Sequence, residues 1–128
     1  MNVELTMLTY SAILAFVLIL IPATYRSYKY GLQASVSNRD EPTPFDGWAA
    51  RAQRTSANML ESLPIFTALI LAVSMTVVSN PITTLGAQIF FWARLVYAVL
   101  YYVGIPWLRT VVWTLAAIGM VMVASALF

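Results

Sequence analysis

Four apolar runs, each close to the length of a bilayer crossing, occupy most of a 128-residue chain. They are roughly Leu5 to Tyr25, Met59 to Ser79 with Glu61 inside it, Leu85 to Val103 with Arg94 inside it, and Val111 to Phe128. About 20 apolar residues in a helix cross the ~30 Å hydrocarbon layer, so four crossings use almost the whole chain. The expectation is all-α: an integral membrane four-helix bundle forming one domain over residues 1–128, with no separate soluble domain.

Composition agrees. Hydrophobic residues make up 61% of the chain and charged residues 9%, against roughly 25% charged in soluble domains; the mean hydropathy is +0.80. The net charge of +2 comes from few groups and contains no basic run, which excludes nucleic acid as a partner. With no Cys there is no disulfide, thiolate nucleophile or thiolate metal site, and with no His the commonest zinc ligand and general base are missing too. No metal is expected. Chemistry here must use Arg, Tyr, Ser, Thr, carboxylates or a reactive group that a ligand brings.

The first run differs from a signal peptide because Glu4 precedes it in place of a cation and no small-residue cleavage pattern follows, so it reads as a retained helix. Arg26, Lys29, Arg39, Arg51 and Arg54 lie between the first and second runs, whereas Ser79 to Thr84 has no cation. The positive-inside rule then places the first and third connections and any polar site at the cytoplasmic face, with both termini opposite. Ser79-Asn80-Pro81 and Gly104-Ile105-Pro106 are short connections, which favour antiparallel neighbours and an up-down-up-down order. The long first connection carries Ser37-Asn38-Arg39-Asp40-Glu41-Pro42-Thr43-Pro44, a turn or surface-loop composition. Asp46 is a candidate N-cap that would start the second helix well before its apolar run. Ser11 with Ala15, and Ala68 with Ala72, permit close helix contacts.

The informative segment runs from Arg51 to Phe66. At ~100° per residue, Arg51, Arg54, Asn58 and Glu61 fall within about 80° of arc, so two cations, an amide and a carboxylate share one helix face. A charge at membrane depth costs at least about 2.5 to 3.5 kcal/mol unless it is paired or faces the bundle interior, which marks this face as a site. The structural alternative is an internal network in which Arg54 or Arg94 pairs with Glu61 and Asn58 satisfies a carbonyl. A second stripe, Arg94, Tyr97 and Tyr101, spans about 60° on the third helix. Tyr102 points away from it and, with Trp107, suits an interfacial aromatic belt. Arg109 opens the fourth helix and by itself would be a snorkelling anchor. Pro64 predicts a kink in the second helix.

Taken together, these residues resemble a known family. Arg-x-x-Arg-x-x-x-Asn-x-x-Glu-x-x-Pro (Arg51, Arg54, Asn58, Glu61, Pro64), Ala-Arg-x-x-Tyr-x-x-x-Tyr (Ala93, Arg94, Tyr97, Tyr101) and Arg109-Thr110 look like the pattern of membrane-associated proteins in eicosanoid and glutathione metabolism. The resemblance covers essentially the whole chain. The Arg39-Asp-Glu-Pro42 turn further looks like a bacterial branch of that family, which implies an inner-membrane protein with periplasmic termini.

The resemblance implies a homotrimer of four-helix protomers that binds glutathione at each subunit interface near the cytosolic face. Arg54, Asn58 and Glu61 would hold the peptide's carboxylates and amino group, Arg51 would share that ligand-binding face, and Arg94, Tyr97 and Tyr101 would line the same pocket. Arg109 would face the thiol as the catalytic residue. The residue types suit this: guanidinium forks match carboxylates, a carboxylate matches the ammonium, and a nearby guanidinium favours a thiolate without acting as a base. The expected activity is transfer of glutathione to a lipophilic electrophile from the membrane lipid, or reduction of a hydroperoxide. The competing class is a non-enzymatic scaffold, lipid-binding protein or accessory subunit of the same fold. A transporter is a third reading, disfavoured because four spans without paired broken helices leave little room for alternating access.

Overall fold

The computed structural model describes residues 2–33 and 44–128. Positions 34–43, which hold Arg39 and most of the turn in the first connection, lie outside the described residues. Four helices follow one another, α1 (Val3–Tyr30), α2 (Gly47–Thr76), α3 (Pro81–Val103) and α4 (Pro106–Ser125), with no strand among the described residues. Each is long and apolar enough to cross a membrane.

Local chemistry explains the boundaries. Asn2 caps α1 by accepting from Leu5 N at 2.9 Å. α1 runs beyond the apolar stretch and ends at Gly31, whose φ of 87° suits a residue without a Cβ. α2 does begin after Asp46, well before Met59, but the Asp46 carboxylate makes no capping hydrogen bond, so only the position of that cap matches the expectation. α3 has the stronger start: the Asn80 side chain accepts from Ile82 N and Thr83 N, Thr83 Oγ1 accepts from Asn80 N, and Pro81 takes the first helical position. Gly104, at φ 89°, ends it in the left-handed region. Pro22 and Pro64 lie inside α1 and α2 without ending either helix, although each deprives the carbonyl four residues earlier of its N–H donor.

α2 and α3 form the centre of the bundle, since each touches all three other helices, whereas α1 and α4 do not touch one another. The core is built on Phe66 and Phe90, both fully buried and stacked with ring centroids 3.9 Å apart. The closest approach is between α3 and α4. A Cβ added at Gly86 would stand 2.7 Å from the Gly119 carbonyl oxygen, and one at Gly119 would stand 2.6 Å from that of Gly86. Ser11 and Ala15 are buried on α1 as their size suggests, but Ala68 is exposed and Ala72 half-buried, so that second pair is not a tight helix contact within the protomer. Where α1 meets α2, the Tyr25 ring meets both Phe45 and Trp48 edge-on, and the Tyr30 hydroxyl donates to the Pro44 carbonyl.

At the other end of the bundle a carboxylate ties three segments together. Glu4 is 1% exposed, and its Oε1 accepts from Ser79 Oγ at 2.5 Å, Thr83 Oγ1 at 2.7 Å and Thr84 Oγ1 at 3.1 Å. α1 and α3 both begin at this end, and their N-terminal dipoles favour an anion there. In the sequence Glu4 serves only to set the first run apart from a signal peptide. The two Thr residues and one Ser near Asn80 were the available signal, because hydroxyls at the start of one span complement a carboxylate at the start of a parallel one.

Candidate functional site

Four arginines from three helices gather at the end of the bundle that holds the α3–α4 turn. Arg51 and Arg54 come from the first half of α2, Arg94 from the middle of α3, and Arg109 from the first turn of α4. Tyr101 links two of them. Its hydroxyl accepts from Arg54 Nε at 3.1 Å, and the Arg109 guanidinium lies over its ring at 4.3 Å. Tyr97, 5% exposed, meets Tyr101 at 5.6 Å between centroids and carries the Arg94 guanidinium on its ring at 4.5 Å. The three-four spacing of Arg94, Tyr97 and Tyr101 thus becomes a continuous line of stacked π faces and cations.

Arg94 is the most constrained member. It is 2% exposed and donates through Nη2 to Asn58 Oδ1 at 2.8 Å, while its buried Nε and Nη1 have no hydrogen-bond partner. Part of the internal-network alternative is present, since Arg94 ties α3 to Asn58 on α2, and part is not. Among the described residues Arg94 and Arg54 make no ion pair with Glu61, and the Asn58 oxygen serves a guanidinium in place of a backbone group. A buried donor left unsatisfied costs about 1 to 3 kcal/mol, and more when it is charged. Arg94 faces a cavity of about 230 Å³ whose polar wall is Asn58, Glu61, Ser62 and Arg94 itself. Its apolar wall is Ile65, Trp113, Ala116, Ala117 and Met120.

Of the eight sequence-selected residues, Asn58, Glu61 and Arg94 line the cavity, while Tyr97, Tyr101, Arg54 and Arg109 continue from Arg94 as a chain of ring and cation contacts outside its lining. Glu61 lines the cavity without a direct partner and is exposed in the protomer, as is Arg54. Arg51 joins neither group. Its Nε donates to the Tyr102 carbonyl at 3.0 Å, away from the cavity lining. Tyr102 also departs from expectation. Its hydroxyl is buried without a partner and its ring packs on the hydrophobic core, so it does not belong to an aromatic belt, whereas Trp107 is 85% exposed as a belt residue would be. Sequence reasoning missed Trp113 and Met120, although Arg109, Trp113, Ala116 and Met120 lie on one helix face.

The cavity wall thus carries one guanidinium, one carboxylate, an amide and a hydroxyl on one side and an apolar face on the other, with Arg54 and Arg109 stacked beyond it on Tyr101. No cluster of His, Cys, Asp and Glu able to hold a metal exists among the described residues.

No curated protein and no solved structure matches this chain. The model of the MAPEG family matches residues 5–128, nearly the whole chain. With four spanning helices and that match, the chain is an integral membrane protein that belongs to the MAPEG family.

Proposed function

We propose that this protein is a membrane-bound, glutathione-dependent transferase or peroxidase. MAPEG members are glutathione transferases and peroxidases or accessory proteins. The single observation that carries the enzymatic reading is the Arg94 guanidinium, 2% exposed with two unpartnered nitrogens at the edge of a cavity. A carboxylate in the cavity would compensate the buried charge, and would bond those two nitrogens once the guanidinium turns toward the cavity. Arg54 and Asn58 supply further donors, and Glu61 supplies the partner for an ammonium. Glutathione, which carries two carboxylates, one ammonium and a thiol, fits this donor set and would bring the nucleophilic sulfur. Arg109 is the residue to which we assign thiolate stabilisation: its guanidinium sits against Tyr101 at the head of α4 and holds a positive charge without needing to accept a proton. Tyr97 and Tyr101 orient the cations. The apolar wall of Ile65, Trp113 and Met120 suits a lipophilic electrophile or hydroperoxide arriving from the bilayer.

The same reading includes a homotrimer. Arg54 and Glu61 are exposed in the isolated protomer, and a charge at membrane depth requires cover by protein or ligand. At about 230 Å³ the cavity also falls below the roughly 300 to 1,000 Å³ of pockets that enclose a whole ligand, as expected of a site completed by a neighbouring copy. Arg26, Lys29, Arg51, Arg54 and Arg109 all lie toward one end of the bundle and Glu4 at the other. This supports an inner-membrane protein with its site at the cytoplasmic face and its termini in the periplasm.

The test is the ultraviolet thiolate absorbance of glutathione titrated into detergent-purified protein, wild type against Arg109→Ala, at neutral pH. A saturable signal in the wild type that the variant loses is the expected result. No binding and no signal would reject the enzyme and leave the accessory-protein reading, with the arginines serving as structural groups.

A further inference from the structure

Arg51 shares a helix face with Arg54, Asn58 and Glu61, yet its side chain reaches the end of α3. Its Nε donates to the Tyr102 carbonyl at 3.0 Å, and its Cδ, Nε and Cζ lie 3.8 to 3.9 Å from where a Cβ on Gly104 would stand. The Tyr102 carbonyl is among the last of α3, for which the helix has no N–H left to offer. Gly104 N and Ile105 N do not serve it, since both return to the Leu100 carbonyl, at 2.8 and 3.1 Å. A cation at a helix C-terminus is favourable in its own right.

One turn further along α2, Arg54 donates to the Tyr101 hydroxyl at 3.1 Å. α2 therefore holds two consecutive residues at the end of α3, one by its side chain and the next by its backbone. Only Gly104 and Ile105 then separate α3 from α4, Pro106 starts the new helix with its φ fixed by the ring, and Arg109 lies in that first turn with its guanidinium 4.3 Å from the Tyr101 ring centroid. A connection this short transmits displacement, so a shift at the Tyr102 carbonyl moves the head of α4 and Arg109 with it.

We propose that Arg51 is a positioning residue that binds the Tyr102 carbonyl in the last turn of α3 in place of ligand and, through the Gly104 turn, holds the Arg109 guanidinium where it stabilises a thiolate. The functional half of this statement rests on the thiol-activating reading above. The structural half does not.

Two readouts separate the halves, both on the full chain in detergent: amide hydrogen exchange across 104–109 without ligand, and a glutathione titration giving affinity and thiolate absorbance per bound glutathione. In Arg51→Gln, exchange across the turn should rise about tenfold and the thiolate per bound glutathione should fall about fivefold, while affinity changes by less than about threefold. Arg51→Lys, whose ammonium can reach the same carbonyl, should recover most of both signals. Gly104→Ala, strained at φ 89° with every charge retained, should reproduce the Gln phenotype and gives a second route should Arg51→Gln not fold. Weakened affinity with unchanged exchange and unchanged thiolate per bound ligand would make Arg51 a ligand contact and overturn the proposal. Faster exchange in a protein whose wild type binds no glutathione would uphold the positioning role and overturn the proposed function instead.

Discussion

Removing the Glu4 carboxylate should loosen the bundle at one end and leave the arginine site at the other unaffected. Three hydroxyl donors, on Ser79, Thr83 and Thr84, converge on Oε1 of a side chain that is 1% exposed. Hydrogen bonds between membrane helices average about 0.6 kcal/mol and reach about 1.7, so three of them put Glu4→Ala at about 2 to 5 kcal/mol less stable. The charge favours the upper part of that range, because bonds to an ionised acceptor are roughly twice as strong as neutral ones. Relief of the hydroxyls works the other way: the single Thr83 hydroxyl proton can turn to the Asn80 carbonyl at 2.8 Å, and Ser79 reaches solvent. We therefore expect a loss of about 3 kcal/mol for Glu4→Ala and about half that for Glu4→Gln, whose amide oxygen still accepts. The assay is unfolding in mixed micelles titrated with dodecyl sulfate, followed by circular dichroism. The glutathione thiolate signal serves as the control. Thr83 and Tyr101 are 18 residues apart on α3, or roughly 27 Å at 1.5 Å per residue, so that signal should not change in the folded variants. A Glu4→Ala loss under about 0.5 kcal/mol, or a Gln variant as unstable as the Ala variant, would refute the account of this carboxylate as a hydrogen-bonded tie.

Three other outcomes follow from the packing and the site. Arg94→Met should destabilise by about 1 to 3 kcal/mol, because it leaves Asn58 Oδ1 without its donor and Tyr97 without its stacked cation, an effect that removal of the two unsatisfied nitrogens offsets only in part; glutathione titration of the same variant should show affinity reduced more than tenfold. Gly119→Ala should destabilise by about 1 to 3 kcal/mol in the same unfolding assay, because its Cβ would meet the Gly86 carbonyl oxygen at 2.6 Å and Phe90 N at 3.0 Å, both backbone atoms that cannot rotate away. Trp113→Ala should raise KM for bulky lipophilic electrophiles in a conjugation assay while the thiolate signal of bound glutathione stays within about twofold, since Trp113 belongs to the apolar wall.

Much of the site was legible before any tertiary information. Arg94, Tyr97 and Tyr101 form a line in space because three-four spacing on a helix already is a line. Arg54, Asn58 and Glu61 share a face for the same reason. Arg51 has that same periodicity and yet leaves the group, because a long side chain is claimed by whichever acceptor lies within its reach. That acceptor, the Tyr102 carbonyl, is 51 positions away in sequence. Tyr102 likewise follows no rule of composition. Its burial depends on how α3 is rotated against the core.

The sequence by itself determined four spans, their antiparallel order and the stripes on each helix, because hydrocarbon thickness and helical period act on one segment at a time. Tertiary structure decided which faces meet and at what height. The Glu4 tie to Ser79, Thr83 and Thr84, the Gly86–Gly119 contact and the hold of Arg51 on the end of α3 each depend on the rotation and axial offset of two helices at once. In a bilayer those two quantities are set by packing and by pairing of polar groups, since apolar side chains gain no hydrophobic free energy by leaving lipid for protein.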